Sequence, residues 1–286
     1  MSILVTGGTG GVGGEIVRQL LERESRGALR VSTRDPAKAK LPAGVEVVAG
    51  DLNDASSMER ALDGATKVFL YAQGGDVSAL AALMKRSGVE QVVLLSTIDV
   101  LNLKESAKHN RRRHLQVEQA IAESGIRHTF LRPGAFATNA LRFWSRAIAT
   151  EGVVRLPYPE AQEAPIDERD IAAVAVRALV TRDLDHQAVV LTGPESLTQR
   201  AQVETIGAAI GRPLRVETVD PADGRAALAR IIPALYVDLL IAQWSEEVGV
   251  RAEVNENVRR FTGRAATSYR EWAARNAGAF RPATAA

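Results

Sequence analysis

The chain has 286 residues, 46% of them hydrophobic, and a formal net charge of +2. That length accommodates one large α/β domain with a smaller appendage, and the near balance of charge argues against a nucleic-acid partner. Cysteine is absent, which excludes disulfides, thiolate metal sites and cysteine nucleophiles, and no metal site is expected.

No apolar run approaches the ~20 residues that span a bilayer, so no membrane partner is expected. The first strand begins at residue 2 with no signal peptide before it, and the expected location is the cytoplasm. Ser2-Ile-Leu-Val-Thr6 is a short apolar run that reads as a buried strand. It passes into Gly7-Gly8-Thr9-Gly10-Gly11-Val12-Gly13 and then into a helical pattern through Ile16, Leu20 and Leu21. Strand, glycine-rich turn and helix in that order form a dinucleotide-binding fingerprint. The glycines permit a tight turn and let the backbone approach a pyrophosphate, which then meets the N–H groups and positive dipole end of the helix. Two registers fit: Gly7, Gly10 and Gly13, or Gly8, Gly10 and Gly13.

Ala28 to Thr33 reads as the second strand, followed by Arg34 and Asp35. An NAD-selective site places an acidic side chain near this strand end to hold the ribose 2′-OH. Here Ser32, Thr33 and Arg34 offer hydroxyls and a guanidinium, which suit the 2′-phosphate of NADP(H). The competing reading leaves Arg34 solvated and gives Asp35 the acidic role. Val45 to Ala49 is the third strand and leads into Gly50-Asp51-Leu52, where Asp51 sits beside an adenine ring or merely makes a turn. Asn53 or Asp54 is placed to cap a helix over 55–62. Lys67 to Ala72 is the fourth strand, with Gln73-Gly74-Gly75 passing the ribose and nicotinamide side, and Asp76 capping a helix to about Ser87. Glu90 to Thr97 is the fifth strand. Strands alternating with helices of this length predict a parallel, doubly wound sheet.

Ser96 and Thr97 close the fifth strand on the carboxyl edge, where such sheets bind ligands. The basic run from Lys108 to His114 continues into a helix through Leu115, Val117 and Ile121, so its arginines read as a charged surface. Ile126 to Leu131 is the sixth strand, ended by Arg132-Pro133-Gly134-Ala135-Phe136. A helix carrying Leu141, Phe143, Trp144 and Ile148 follows, then strand-like pieces at 153–156 and 164–167. A helix over 168–180, a strand over 187–192, a helix over 199–210 and a strand over 214–219 come next. From about 221 to 280 the chain is helical, with Tyr236, Trp244, Phe261, Tyr269 and Trp272 expected mostly in a core.

Taken together, the chain resembles the atypical short-chain dehydrogenase/reductases of the NmrA-like group. The residues that carry the likeness are Thr6 to Gly13, Ser32-Thr33-Arg34, Gly50-Asp51-Leu52, Ser96-Thr97, and His114 with Glu118 ahead of Ser124-Gly125-Ile126. Leu131 to Phe136 with Asn139, Ala164 to Ile171, and Leu191 to Glu195 complete the set. The resemblance implies a Rossmann sheet in residues 1–135, with 165–195 returning to it. Residues 136–164 and 196–286 then form a smaller, mostly helical part over the substrate. It implies NADP(H) held by Gly7, Thr9, Gly10, Gly11, Val12, Gly13, Arg34, Asp51, Leu52, Ala72 and Gln73, with Pro133 and Phe136 near the nicotinamide.

One departure from that pattern matters. Typical short-chain reductases use a tyrosine as general acid, with a lysine four residues later. Tyr71, Tyr158, Tyr236 and Tyr269 are followed at that spacing by Gly75, Gln162, Leu240 and Ala273. His114 stands where many relatives carry the lysine. The proton is therefore expected from His114, from a Ser96 or Thr97 hydroxyl, from water or from the substrate, and Ser96 and His114 are the candidate catalytic residues. The expected activity is NADPH-dependent reduction of a ketone or quinone on a bulky, polycyclic aromatic metabolite, of the kind met in secondary metabolism. The other reading is a regulatory protein that senses NADP(H) with little turnover.

Overall fold

The structure, a computed structural model, describes residues 2–23, 28–72 and 75–282. In chain order its strands are β1 (Ser2–Thr6), β2 (Ala28–Thr33), β3 (Glu46–Ala49), β4 (Lys67–Tyr71), β5 (Gln91–Leu95) and β6 (Arg127–Pro133). They continue with β7 (Val153–Leu156), β8 (Gln162–Glu163), β9 (Gln187–Leu191), β10 (Leu197–Thr198) and β11 (Arg215–Thr218). The helices are α1 (Gly11–Leu21), α2 (Glu59–Leu62), α3 (Val77–Arg86), α4 (Lys108–Glu123), α5 (Asn139–Phe143) and α6 (Ser145–Thr150). After these come α7 (Glu168–Val180), α8 (Gln199–Ile210), α9 (Pro221–Leu228), α10 (Ala234–Glu247), α11 (Asn257–Thr262) and α12 (Tyr269–Asn276).

Apolar residues fill both faces of the central strands, and strand alternation sends neighbours in opposite directions. Ile3, Val5, Phe69, Val93 and Leu131 pack with α1 and α7. Leu4, Val68, Leu70, Val92 and Leu94 pack with α2, α3 and α4. Burial of a side chain of this size is worth about 1.5–3 kcal/mol, so both faces hold their helices firmly. The strands pair in parallel in the order β3–β2–β1–β4–β5–β6–β9, the doubly wound sheet read from the sequence. Its order reverses between β1 and β4, and the carboxyl ends of β1, β2, β4, β5, β6 and β9 share one edge.

The expected strands at 153–156 and 214–219 form as β7 and β11, outside the seven-stranded sheet. The 153–156 strand does not join the main sheet but pairs in parallel with β11, and β8 pairs antiparallel with β10. The piece expected at 164–167 reduces to a bridge between Ile166 and Phe136, with the strand residues lying just before it. Trp144, Ile148, Tyr269, Trp272 and Phe280 share one core, and Trp244 anchors a second with Leu228 and Val237. Tyr236 is the exception among the dispersed aromatics and is exposed.

Two expected helices are interrupted. The 55–62 segment starts as a 3-10 turn capped by Asp54, because Ser57 Oγ bonds both the N–H and the carbonyl of Asp51 and draws the backbone off a regular helical path. The segment through Ile148 breaks at Trp144, where the backbone opens to φ −119°. Trp144 keeps its indole in the core there, and Ser145 Oγ bonds the Leu141 carbonyl.

The turn from β1 into α1 is closed tightly on itself. Gly7 has φ +64°, and a β-carbon on Gly13 would lie 2.2 Å from the Gly7 carbonyl oxygen. A β-carbon on Gly11 would meet nothing within 4 Å. Gly13→Ala should therefore destabilise the apo-protein by about 2–3 kcal/mol, while Gly11→Ala should be neutral or slightly stabilising. Urea unfolding of the two variants checks this, and equal midpoints would contradict it.

Candidate active site

The glycine loop resolves into positions that the fold demands and positions that it does not. Gly7 needs its left-handed φ, Gly8 would collide with Val31, and Gly13 closes against Gly7. Gly10 has ordinary extended dihedrals, and a β-carbon there would approach only the Gly7 carbonyl, at 3.3 Å. Gly10 N–H donates to the Gly7 carbonyl at 2.9 Å, and no side chain caps α1. Thr9, Gly10 and Gly11 are exposed, whereas Val12 turns into the core. A helix N-terminus with bare backbone on its open side is what an incoming pyrophosphate requires. Because the tight turn runs from Gly7 to Gly13, the register that matters is Gly7, Gly10 and Gly13.

Arg34 follows β2 at this edge, exposed and without a hydrogen-bond or ion-pair partner among the described residues. Asp35, the competing candidate, is turned to Lys38 at 2.8 Å. Asp51 makes an Asx turn, its Oδ1 accepting from the Asn53 N–H and Nδ2, both at 2.9 Å. Leu52 is buried in the core against Met58 and does not line the open edge with its side chain. Ala72 is buried, its N–H bonded to the Leu95 carbonyl. Gln73 lies outside the described residues. Tyr71 was not singled out in the sequence, yet its ring lies where a Gly7 β-carbon would reach it at 2.9 Å. Burial pushes its phenol up, with the nearby charge of Arg34 opposing. The pairing of β1 with both β2 and β4 brings Tyr71, Arg34 and the glycine loop to one edge, so no local pattern marks the tyrosine.

Ser96 and His114 do meet, but inside a buried network. Ser96 Oγ donates to Glu118 Oε1 at 2.6 Å, and its oxygen lies 3.5 Å from His114 Nδ1. Glu118 also accepts from Arg132 Nε at 3.0 Å and from its terminal nitrogen at 2.5 Å, a bidentate pair. His114 Nε2 lies 3.2 Å from an Arg113 guanidinium nitrogen. A guanidinium only donates, so Nε2 accepts and the imidazole proton belongs on Nδ1, toward Ser96. Burial, with Arg113 adding to it and Glu118 opposing, lowers the His114 pKa to about 4. The expectation that His114 supplies a proton near neutrality does not fit this environment: the ring is neutral there and its proton faces inward. Arg113 also departs from the solvated surface expected for the basic run, since it is half-buried and turned to His114.

Past this network the edge opens into a cleft of about 400 Å³. Its floor is Ile98 and Asp99 after β5, Gly134 and Ala135 after β6, and Thr192 after β9. Glu163, Gln243 and Glu247 wall it from the smaller part, with Leu101, Lys104, Val250 and Arg251 also on its lining. Pro133 ends β6 against Leu191, and Phe136 bridges Ile166, so both brace the strand end beside the cleft. Glu163 and Glu247 belong to no motif in the sequence, and only the tertiary pairing of Ala161 with Val248 brings their segments together. Among the described residues no cluster of potential metal ligands occurs, and no helix is long and apolar enough to cross a membrane.

A sequence model of NAD(P)H-binding proteins matches residues 7–182. The chain belongs to this NAD(P)H-binding family, in its NmrA-like group. Among the family's members, a (4-alkanoyl-5-oxo-2,5-dihydrofuran-3-yl)methyl phosphate reductase of Streptomyces griseus is 37% identical over 285 residues, covering 98% of this chain and 99% of its own. An NAD(P)H azoreductase of Xenophilus azovorans is 34% identical over 287 residues, covering 97% and 99%. The fold matches that of an NADPH-dependent quinone oxidoreductase from Escherichia coli with a TM-score of 0.79, at 23% identity over 96% of this chain and 98% of that one.

Two outcomes follow from this geometry. Gly10→Val should fold, because extended dihedrals admit a branched side chain and the Gly7 carbonyl need give only a few tenths of an ångström, yet bind no NADPH in a fluorescence titration; normal binding would move the phosphate site elsewhere. The lowered His114 pKa means the unfolded chain binds the extra proton between pH 6.5 and about 4, so this group's stabilisation is lost as pH falls through that window. His114→Gln should flatten the melting temperature between those limits, and an unchanged slope would show that the ring is not held neutral.

Proposed function

We propose that the protein is an NADPH-dependent reductase acting on a ketone or quinone carbonyl of a bulky, largely apolar, polycyclic aromatic metabolite. The observation that carries this reading is the pairing of two features on one sheet edge. One is the bare N-terminus of α1 with unpartnered Arg34 beside it; the other is the cleft past β5, β6 and β9. The residues fit the cofactor, because the fold leaves Gly11 free of a side chain without needing it so for its own packing, and Gly10 meets only the Gly7 carbonyl.

Gly7, Thr9, Gly10, Gly11, Val12 and Gly13 would hold the pyrophosphate with backbone groups. Arg34 would take the 2′-phosphate, and Asp51, Leu52, Tyr71, Ala72 and Gln73 would form the adenosine and ribose wall, Leu52 through its backbone. Pro133 and Phe136 would set the edge against the nicotinamide ring. When bound, the reduced nicotinamide supplies a hydride. Ser96 and His114 act as positioning residues, since the Ser96–Glu118–Arg132 chain ties the ends of β5 and β6 to α4. The cleft orients the acceptor carbonyl, and orientation alone contributes several kcal/mol to such a step.

The substrate class rests on the lining and on the relatives. Leu101 and Val250, each 54% exposed, offer apolar surface at the cleft. The two relatives named above carry azo compounds and an alkanoyl-oxo-dihydrofuran phosphate in their names. Lys104 and Arg251 would suit an anionic substituent of the latter kind. A quinone, or a ketone beside a phenol, stabilises its own reduced oxygen and so suits a site without the tyrosine–lysine pair.

The test is a titration with both cofactors, followed by an oxidation assay against quinones, aromatic ketones and phosphorylated acceptors. Arg34→Ala should weaken NADPH binding about 10- to 100-fold, the worth of a charged hydrogen bond, and leave NADH little altered. Equal losses would show that Arg34 does not read the phosphate. Tight NADPH binding with no oxidation by any acceptor would favour the sensing role instead.

A further inference from the structure

Of the four carboxyl residues that line the cleft, Glu163 and Glu247 lie together on one wall, and the reductase reading gives neither a task. Glu163 lies on β8 and Glu247 ends α10, and an antiparallel bridge between Ala161 and Val248 pins the two segments side by side. Their surroundings differ. Both Glu163 oxygens accept hydrogen bonds, Oε1 from Trp244 Nε1 at 3.1 Å and Oε2 from Gln202 Nε2 at 3.2 Å. Glu247 Oε1 accepts from Gln243 Nε2 at 2.8 Å, while its Oε2 is buried with no partner. A buried carboxylate oxygen without a donor is costly, which favours the protonated carboxyl, and Glu247 is part of the cleft lining.

The charges around Glu247 come from every side of the cleft. Glu163 on β8, Asp99 after β5, Glu246 on the same helix and Glu253 are acidic, and Lys104 and Arg251 are basic. Lys104 is drawn to Glu246 at 3.6 Å, and Asp99 accepts from Asn110 Nδ2 at 2.5 Å. Burial lifts the Glu247 carboxyl to about 8; Glu163 and Asp99 add to this, and the Gln243 hydrogen bond and Lys104 oppose it. Burial raises Glu163 too, opposed by its hydrogen bonds from Gln202 and Trp244.

We propose that Glu247 is the proton donor of the reduction, its carboxyl hydrogen-bonding the substrate's carbonyl oxygen across the cleft from Gly134 and Ala135. This rests on the reductase reading above. The step adds a hydride from the reduced nicotinamide to the carbonyl carbon, moves the C=O π pair onto oxygen, and passes the Glu247 proton to that oxygen. The products are the alcohol, oxidised cofactor and the Glu247 carboxylate, which regains a proton from solvent. An acid whose pKa lies near the working pH is the efficient choice for this transfer.

Glu247→Gln keeps the size and hydrogen-bonding of the side chain but removes the proton. It should bind NADPH as the wild type does, reduce an aromatic ketone about 10²–10³-fold more slowly, and reduce a quinone with less than about tenfold loss. The wild-type ketone rate should fall as pH rises through about 8, and that limb should vanish in Glu247→Gln. A second readout needs no turnover. With the folded pKa raised above 4.5, the apo-protein's stabilisation by this proton is full below 4.5 and lost as pH rises through about 8, so the variant's melting temperature should fall less over that window. Unchanged ketone rates and pH profile in an active enzyme, or an unchanged melting slope, would overturn the proposal alone. A wild type that oxidises NADPH with no acceptor would remove the reductase reading and the proposal together.

Discussion

A single backbone contact organises the edge of the sheet on which the site is built. The first turn of α1 closes onto the carbonyl of Gly7, with no room for a β-carbon at Gly13, and Gly7 takes a left-handed φ to allow it. Strand β1 lies between β2 and β4, so this closure fixes where the N-terminus of α1 points relative to the ends of both. It also seats the Tyr71 ring against the loop and leaves Gly10 and Gly11 as bare surface. Were the turn one residue longer, the N–H groups of α1 would no longer be aimed along the crevice where the strand order reverses.

The second half of the site depends on a buried charge pair. Glu118 and Arg132 face each other across α4 and β6, with Ser96 donating into the same carboxylate. Removing one partner of such a pair costs about 3–5 kcal/mol, because the other is left uncompensated. The network therefore holds the ends of β5 and β6 in one arrangement, and the cleft opens from those ends. Stable geometry and proton chemistry are thereby separated: the inner histidine is neutral and enclosed, while the titratable group with a free oxygen lies on the opposite wall, on α10.

The sheet was legible because its strands are short apolar runs punctuated by glycines and caps, and this pattern survives in sequence. β2, α7 and α8 occupy the expected residues, and Asp76 caps α3 by accepting from the Ala79 N–H. The glycine loop was legible for the same reason, as was the family, whose motifs recur in order. What sequence could not show was tertiary pairing. His114 and Glu118 share a helix face at spacing four, yet Glu118 pairs with Arg132 from the next strand, and the histidine turns to Ser96 and Arg113. Trp144 breaks a regular apolar helix because its indole is wanted in the core of the smaller part. Glu247 follows Ser245 and Glu246 and reads as a solvated helix end; only the bridge from Val248 to Ala161 brings it to the cleft.

One edge of the sheet is built to bind NADPH in a defined direction, from the glycine loop toward the cleft. A crystal structure of the complex with NADPH tests this most directly. The expected result is the pyrophosphate on the backbone N–H groups at the start of α1, the 2′-phosphate on Arg34, and the nicotinamide ring beside Gly134 and Ala135 at the mouth of the cleft. A pyrophosphate bound away from Gly10 and Gly11, or a nicotinamide ring turned away from that cleft, would contradict it.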